Sequence, residues 1–319
     1  MHPAYSVIFF TTASGAGYGL WFWLGLRLAV EGVAGPSLPA VAALLLGGAL
    51  VTLGLLSSTL HLGHPERAWR ALGQWRSSWL SREGVAAVAT YLPAGAVFLA
   101  LALPGGLPGA GLAAALLAAG SAATVWCTGM IYGSLRTIPA WSDRAVPFGY
   151  LAMAGATGAL LFVLSDTVFR NEAGPWPAVA GFALVMAAVM KWFYWRRIDA
   201  APAAFGMAEA LGVPGASEIR TLDPPHTQPN FVMREMGYAV ARRHARRLRL
   251  LAISFLMTLP LAGLVLASVL PALALPLQAL AVVSAGLGVW IERWLFFAEA
   301  RHVSMLYYGA GPGQPQEGA

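Results

Sequence analysis

Charge and cysteine are what this sequence has least of. Only 11% of its 319 residues are Asp, Glu, Lys or Arg, against about 25% in an ordinary globular chain. Twenty basic and 14 acidic side chains cannot clothe the two soluble domains that the length alone would suggest. The apolar share is 58%, with 12 Trp, and the mean hydropathy is +0.65. Together these values exclude a soluble protein and indicate a polytopic membrane protein. The single cysteine, Cys127, rules out an intrachain disulfide and any four-thiolate zinc or iron–sulfur site. The chain is therefore not a disulfide-stapled secreted protein, and any iron–sulfur chemistry belongs to a partner.

Long apolar runs take the place of charge. A helical span needs roughly 20 apolar residues to cross about 30 Å of hydrocarbon. Eight runs qualify, at about 5–30, 38–60, 84–104, 110–133, 147–165, 176–195, 250–270 and 275–297. The expected fold is all-α: a polytopic membrane bundle of eight transmembrane helices in a single integral-membrane domain, 1–319. The first run has no basic leader and is too long for a cleaved signal peptide, and no twin-arginine signal is present. Without an internal repeat, the inverted-repeat transporter plan finds no support. Gly15 and Gly19, like Gly129 and Gly133, stand four apart, a spacing that lets helices approach closely in lipid. Pro93 and Pro260 fall inside runs and are expected to kink them.

With eight spans, both termini and the loops 61–83, 134–146 and 196–249 share one side. Eighteen of the 20 basic residues fall on that side, and only Arg27 and Arg170 on the other. The positive-inside rule places the rich side, with both termini, in the cytoplasm. The opposite connections at 104–109 and 271–274 are little more than Pro/Gly turns, so partners are expected to dock from the cytoplasm. Basic loops recruiting an acidic partner surface would raise the same ratio.

The stretch 57–84, SSTLHLGHPERAWRALGQWRSSWLSREG, carries the chemistry. His61 and His64 would share a face if the helix continued. Pro65 favours a break, and Glu66 is placed to pair with Arg70. Trp69, Trp75 and Trp79 set three indoles near one interface, where an aromatic belt with snorkelling arginines accounts for most of the segment. It accounts poorly for His61 and Glu83. Ionisable groups at the membrane boundary are functional candidates, and this pair suits quinone chemistry. That reaction moves two electrons and two protons, and the ring oxygens need hydrogen-bond partners that also trade protons, as histidine and a partly desolvated glutamate can. On residue chemistry alone, a solute transporter could use the same two side chains.

The run His61-Leu62-Gly63-x-Pro65, the arginine-rich segment after it and Leu80-Ser81-x-Glu83 resemble the membrane anchor subunits of dimethyl sulfoxide reductase-type molybdoenzymes. Weaker matches lie in YGSLRTIPAW, residues 132–141, and in Glu292-Arg293. The resemblance implies that the chain holds a molybdopterin catalytic subunit and an iron–sulfur electron-transfer subunit on a bacterial inner membrane. It implies electron exchange with ubiquinone or menaquinone, and no cluster or molybdenum in the chain itself. Carried over, His61 and Glu83 are the quinone-site residues, with Trp79, Tyr132 and Arg136 as further pocket candidates. Tyr132 and Arg136 serve equally well as an interface anchor. The inferred cytoplasmic docking side and the long loop 199–249, with LDPPHTQPNFVMREMGY, resemble the anchors of cytoplasmic sulfite-oxidising enzymes, in which electrons run from sulfite to quinone. The alternative is a dimethyl sulfoxide reductase anchor oxidising menaquinol.

Other features have two readings each. Five arginines within 242–249 suit anionic lipid or a docking surface for the iron–sulfur subunit, and nucleic-acid binding is not expected of a segment between two spans. Asp223-Pro224-Pro225-His226 suggests a strap over a partner. Glu292 and Arg293 suggest a buried pair, a contact to another span's arginine, or a proton path. A b-type haem is not expected: none of the six histidines sits mid-span, and only an edge haem using His61 or His64 with His302 fits.

Overall fold

A computed structural model describes residues 4–308 except 34, 61, 171–173 and most of 202–239. Among the described residues the chain is helical throughout, without strands, and eight helices are long and apolar enough to cross a membrane. They are α1 (Tyr5–Glu31), α2 (Leu38–Thr59), α3 (Trp79–Ala102), α4 (Ala110–Gly133), α5 (Ala145–Arg170), α6 (Trp176–Ala200), α7 and α8 (Ala274–Ala298). α7 runs from Val240–Ile253 through a π turn, Ser254–Thr258, into Leu259–Val269. An even number of crossings puts Tyr5 and Ala298 at one end, here called the loop end, with the long connections; the short connections form the turn end.

α1 is the hub, packing against α2, α4 and α5. Glycine makes this possible. A methyl group on Gly158 of α5 would lie 2.0 Å from the Gly19 carbonyl carbon, and one on Gly19 would lie 1.8 Å from the Ala154 oxygen. The two backbones therefore touch, as the small-residue spacing in α1 suggests. Gly129 closes in the same way on Pro147 at the start of α5. Trp21 Nε1 donates to the Leu44 carbonyl (2.8 Å) and Trp23 Nε1 to the Gly155 carbonyl (2.8 Å), so the indoles of α1 tie it to α2 and α5. Leucine, valine and phenylalanine side chains face outward on the peripheral helices, among them Leu53, Leu92, Phe182 and Val283, as a lipid-facing surface requires.

Both prolines sit where the sequence puts them, inside helices. In α7 the π turn lies directly ahead of Pro260, which has no N–H to donate. Gly288 of α8 lets the turn approach, since a methyl there would be 2.3 Å from the Leu256 nitrogen, and Ser284 Oγ donates to the Phe255 carbonyl (2.9 Å). α3 starts at Trp79, five residues before the apolar run, so Trp79 to Glu83 belong to the helix rather than to the preceding loop.

At the turn end, Arg27 bridges Asp166 (3.0 Å) and Glu31 (2.8 Å) and lies near the faces of Phe162 and Trp176. One of the two basic residues assigned to that side is thus held between α1 and α5.

Candidate functional site

The segment after α2 does not continue the helix. α2 ends at Thr59, and Pro65–Gln74 form a 3₁₀ helix, fully or largely exposed along its length. With three residues per turn instead of 3.6, the expected Glu66–Arg70 alignment is lost. Glu66 instead meets His64 Nδ1 (3.0 Å) and Arg67 (3.6 Å), while Arg70 lies over Trp69. Trp69 and Trp75 are exposed. Leu72 reaches back to the head of α3: a methyl group on Gly84 would meet its Cδ2 at 2.8 Å.

Arg82 closes this loop onto the helix. Its Nε donates to the Trp75 carbonyl (3.0 Å), its terminal nitrogen to the Arg76 carbonyl (2.7 Å), and the guanidinium stacks 4.3 Å from the Trp79 ring centre. One turn of α3 is thereby fixed between an exposed aromatic loop and the bundle. Within that turn Glu83 points inward and is only 5% exposed.

Glu83 has a partner suited to two protonation states. Thr128 Oγ1 of α4 lies 2.5 Å from Glu83 Oε1 and 3.1 Å from the Thr124 carbonyl. A hydroxyl has one hydrogen to donate and lone pairs that accept. It can donate to an ionised carboxylate, or turn to the Thr124 carbonyl and accept from a protonated one. Thr128 uses only Oε1, which leaves Oε2 to a further partner. The site is thus a buried carboxyl group at the loop end whose hydroxyl partner suits either protonation state.

Beside it lies an aromatic nest. Tyr132 stacks on Tyr150 (5.8 Å between centres, 20° between planes) and meets Trp141, Phe296 and Phe297 edge-on at 5.3 to 5.5 Å. Residues 134–144 form the wall. Trp141 Nε1 donates to the Phe296 carbonyl (2.9 Å), Tyr194 donates its hydroxyl to the Ala140 carbonyl (3.1 Å), and Asp143 caps α5 through the Ala145 N–H (2.8 Å). Behind the nest, Glu292 of α8 is 1% exposed and forms ion pairs with Lys191 of α6 and with Arg293 (3.3 Å), all three buried. The guanidinium of Arg293 lies 3.5 Å from the Tyr150 ring centre.

This layout can be set beside known proteins. The profile of the DMSO reductase anchor subunit (DmsC) family matches residues 1–309. The chain belongs to that family. It is also 33% identical to a sulfite dehydrogenase subunit from Allochromatium vinosum over 342 aligned positions, which cover 97% of this chain and 99% of that protein.

Within this anchor subunit the predicted residues separate. Glu83 and Trp79 share the first turns of α3, and Tyr132 lies within electrostatic reach of Glu83. Arg136 lies beyond the end of α4 at Gly133, so the four-residue spacing from Tyr132 no longer marks one helical face, and its side chain is exposed. His61 and the strap Asp223 to His226 lie outside the described residues. His64 and His302 engage Glu66 and Ser304 respectively. Glu292 finds a lysine of another span instead of an arginine, so Lys191 belongs to the interior and not to the loop-side charges. Sequence reasoning missed Thr128, Tyr150 and Arg82. Thr128 and Tyr150 carry no signal, since hydroxyls are common in membrane helices. Lys191 was detectable as a cation within the run ending KWFYWRR.

Proposed function

We propose that this anchor subunit exchanges electrons between an iron–sulfur partner subunit and quinone, at a pocket formed by Glu83 and His61 with Trp79 and Tyr132 as aromatic walls. The observation that carries the reading is Glu83: a buried carboxyl at the loop end, with a hydroxyl partner that serves it protonated or ionised. A quinone takes up two protons with its two electrons, and a group able to hold a proton next to the ring oxygen supplies that need. With one cysteine in the chain, the clusters come from the iron–sulfur subunit and the oxyanion chemistry from a molybdopterin subunit. The exposed loop with Trp69, Trp75 and Arg67, and the exposed Arg246 and Arg247 at the head of α7, offer those partners a surface. Arg136 belongs to this docking surface rather than to the pocket wall.

In this reading the loop end faces the cytoplasm of a bacterial inner membrane, supported by the distribution of basic residues: with the buried Lys191 and Arg293 set apart, 16 remain on the loop side against Arg27 and Arg170. Electrons run from sulfite to quinone, supported by the near full-length similarity to a protein named as a sulfite dehydrogenase subunit. The test uses membranes holding the whole complex. His61→Ala and Glu83→Ala should lower sulfite-linked reduction of a short-tailed ubiquinone by on the order of a hundredfold, the scale of general acid–base assistance. Sulfite-linked reduction of a soluble dye, which draws electrons from the partners alone, should persist. Wild-type rates in both assays for both variants would remove the pocket from this position.

A further inference from the structure

Glu83 needs a route for its protons. Quinone, two electrons and two protons give quinol; the electrons come from the iron–sulfur partner, and each proton Glu83 gives to a ring oxygen must be replaced. Thr128, its partner, also lines a narrow crevice inside the loop-end half of the bundle. Tyr150 and Arg293 line the same crevice from α5 and α8, with Thr12, Ser14 and Thr157 between them. Its free space, about 10 Å³ for a water's centre, fits roughly one water molecule. Among the described residues the Tyr150 and Thr12 hydroxyls have no hydrogen-bond partner, so both are open to a water there. Arg293 leads on to Glu292 and Lys191 through the buried ion pairs.

The cluster also has an outlet. Glu299, just beyond α8, lies within electrostatic reach of Lys191 and is bound by Arg249 (3.0 Å). Arg249 in turn holds Asp199 (2.6 Å), whose side chain is 58% exposed. Carboxyl, ammonium and hydroxyl groups thus lie at intervals between the loop-end surface and Glu83, with the Arg249 and Arg293 guanidiniums holding them in place rather than passing protons. Lys191, Arg293 and Arg249 face Glu292, Glu299 and Asp199, three cations to three carboxylates. Of the three cations Lys191 is the one able to release a proton, because a guanidinium does not. For a purely structural element this is a costly choice, since buried ion pairs stabilise little over apolar side chains of similar volume.

We propose that Lys191 and Glu292 form a buried proton-exchange site that serves Glu83 by way of Tyr150, one crevice water and Thr128. Two protons enter from the loop end for each quinone reduced and leave by the same line when quinol is oxidised. The close contact of Gly19 with Gly158 lies beyond Thr157, on the turn-end side of the crevice. This proposal rests on the reading of Glu83 as the quinone-site acid.

The test compares Tyr150→Phe, Lys191→Met and Lys191→Arg with wild type in membranes holding the complex, using sulfite and a short-tailed ubiquinone. Tyr150→Phe removes one oxygen, and Lys191→Met leaves Glu292 paired with Arg293, so both retain the packing. Each should slow quinone reduction about a hundredfold, the lower end of proton-transfer assistance, and enlarge the rate difference between ordinary and heavy water. Dye reduction should be unchanged. Lys191→Arg keeps the charge yet should be as slow as Lys191→Met, a result that a structural ion pair does not give. Wild-type quinone rates and an unchanged heavy-water effect in Tyr150→Phe and Lys191→Met would overturn the relay. Glu83→Gln in the same membranes separates the two claims: a slow Glu83→Gln beside fast relay variants removes the relay alone, and a fast Glu83→Gln removes the pocket itself.

Discussion

Two alanine substitutions on one helix, three residues apart, should have opposite effects on this protein. At Gly158 an added methyl group would lie 2.0 Å from the Gly19 carbonyl carbon and 2.4 Å from the Leu20 nitrogen. Carbon atoms in good contact stand about 3.5 to 4.0 Å apart, so α1 and α5 would have to part by roughly 1.5 Å at their crossing. Both colliding groups are backbone, and neither can swing away. A gap of 0.5–1 Å already forfeits a quarter to a half of a dispersion contact, and overpacking typically costs about 1–3 kcal/mol. The Trp23 bond to the Gly155 carbonyl and the Arg27–Asp166 pair cross the same seam and would stretch with it. Alanine returns up to about 1 kcal/mol of helix propensity. Gly158→Ala should therefore destabilise by about 2 kcal/mol. At Gly155 a methyl group meets nothing within 4 Å, and Gly155→Ala should be neutral or mildly stabilising. Thermal unfolding in detergent, followed by the fraction that stays monodisperse, gives the order: Gly158→Ala below wild type, Gly155→Ala at or above it. Equal midpoints for the two variants would refute the backbone contact.

Further outcomes follow from the site and the turn end. Thr128→Val keeps the shape but removes the hydroxyl bond to Glu83; a hydrogen bond to a charged group contributes about 1.5–3 kcal/mol, so quinone-linked turnover should fall roughly ten- to a hundredfold, with Thr128→Ser retaining most of it. Arg82→Lys keeps the charge but loses the planar fork, and amide hydrogen exchange over residues 75–82 should quicken while the transmembrane part of α3 is unchanged. Arg27→Ala and Asp166→Asn each break the ion pair between α1 and α5 from one side and should each destabilise by about 1–3 kcal/mol. The double variant should lose less than the sum in a double-mutant cycle, and simple additivity would show that the pair is not coupled.

The number of helices was legible because each span announces itself by about twenty apolar residues, and the same counting placed the long connections at one end. Helix edges were less legible. Arg82 and Glu83 mark the end of an apolar run, yet the helix begins at Trp79, because one side chain bonds the preceding loop and the other turns into the bundle. The 3₁₀ form of Pro65–Gln74 was invisible to a pairing rule that assumes 3.6 residues per turn. Glu83 stood out as an ionisable group at the boundary, but Thr128 gave no warning: its role depends on which face of α4 meets α3, and tertiary packing decides that. Lys191 illustrates the same limit. It was counted with the loop charges because it lies near a span end, whereas the Glu292 carboxylate and the Tyr194 ring face, 3.9 Å from Nζ, hold it inside. The motif YGSLRTIPAW turned out to be mostly architecture, a wall pinned by Trp141 and Asp143 around Tyr132.

The central claim is that quinone meets this chain at the head of α3. Binding of a fluorescent quinol analogue to the purified complex, titrated in wild type and in Glu83→Gln, tests it most directly. The account predicts one saturable site per complex in wild type and at least a tenfold weaker one in Glu83→Gln, in line with the loss of a charge-assisted hydrogen bond, with dye-linked activity intact in both. Saturable binding of equal strength in the two proteins would contradict it.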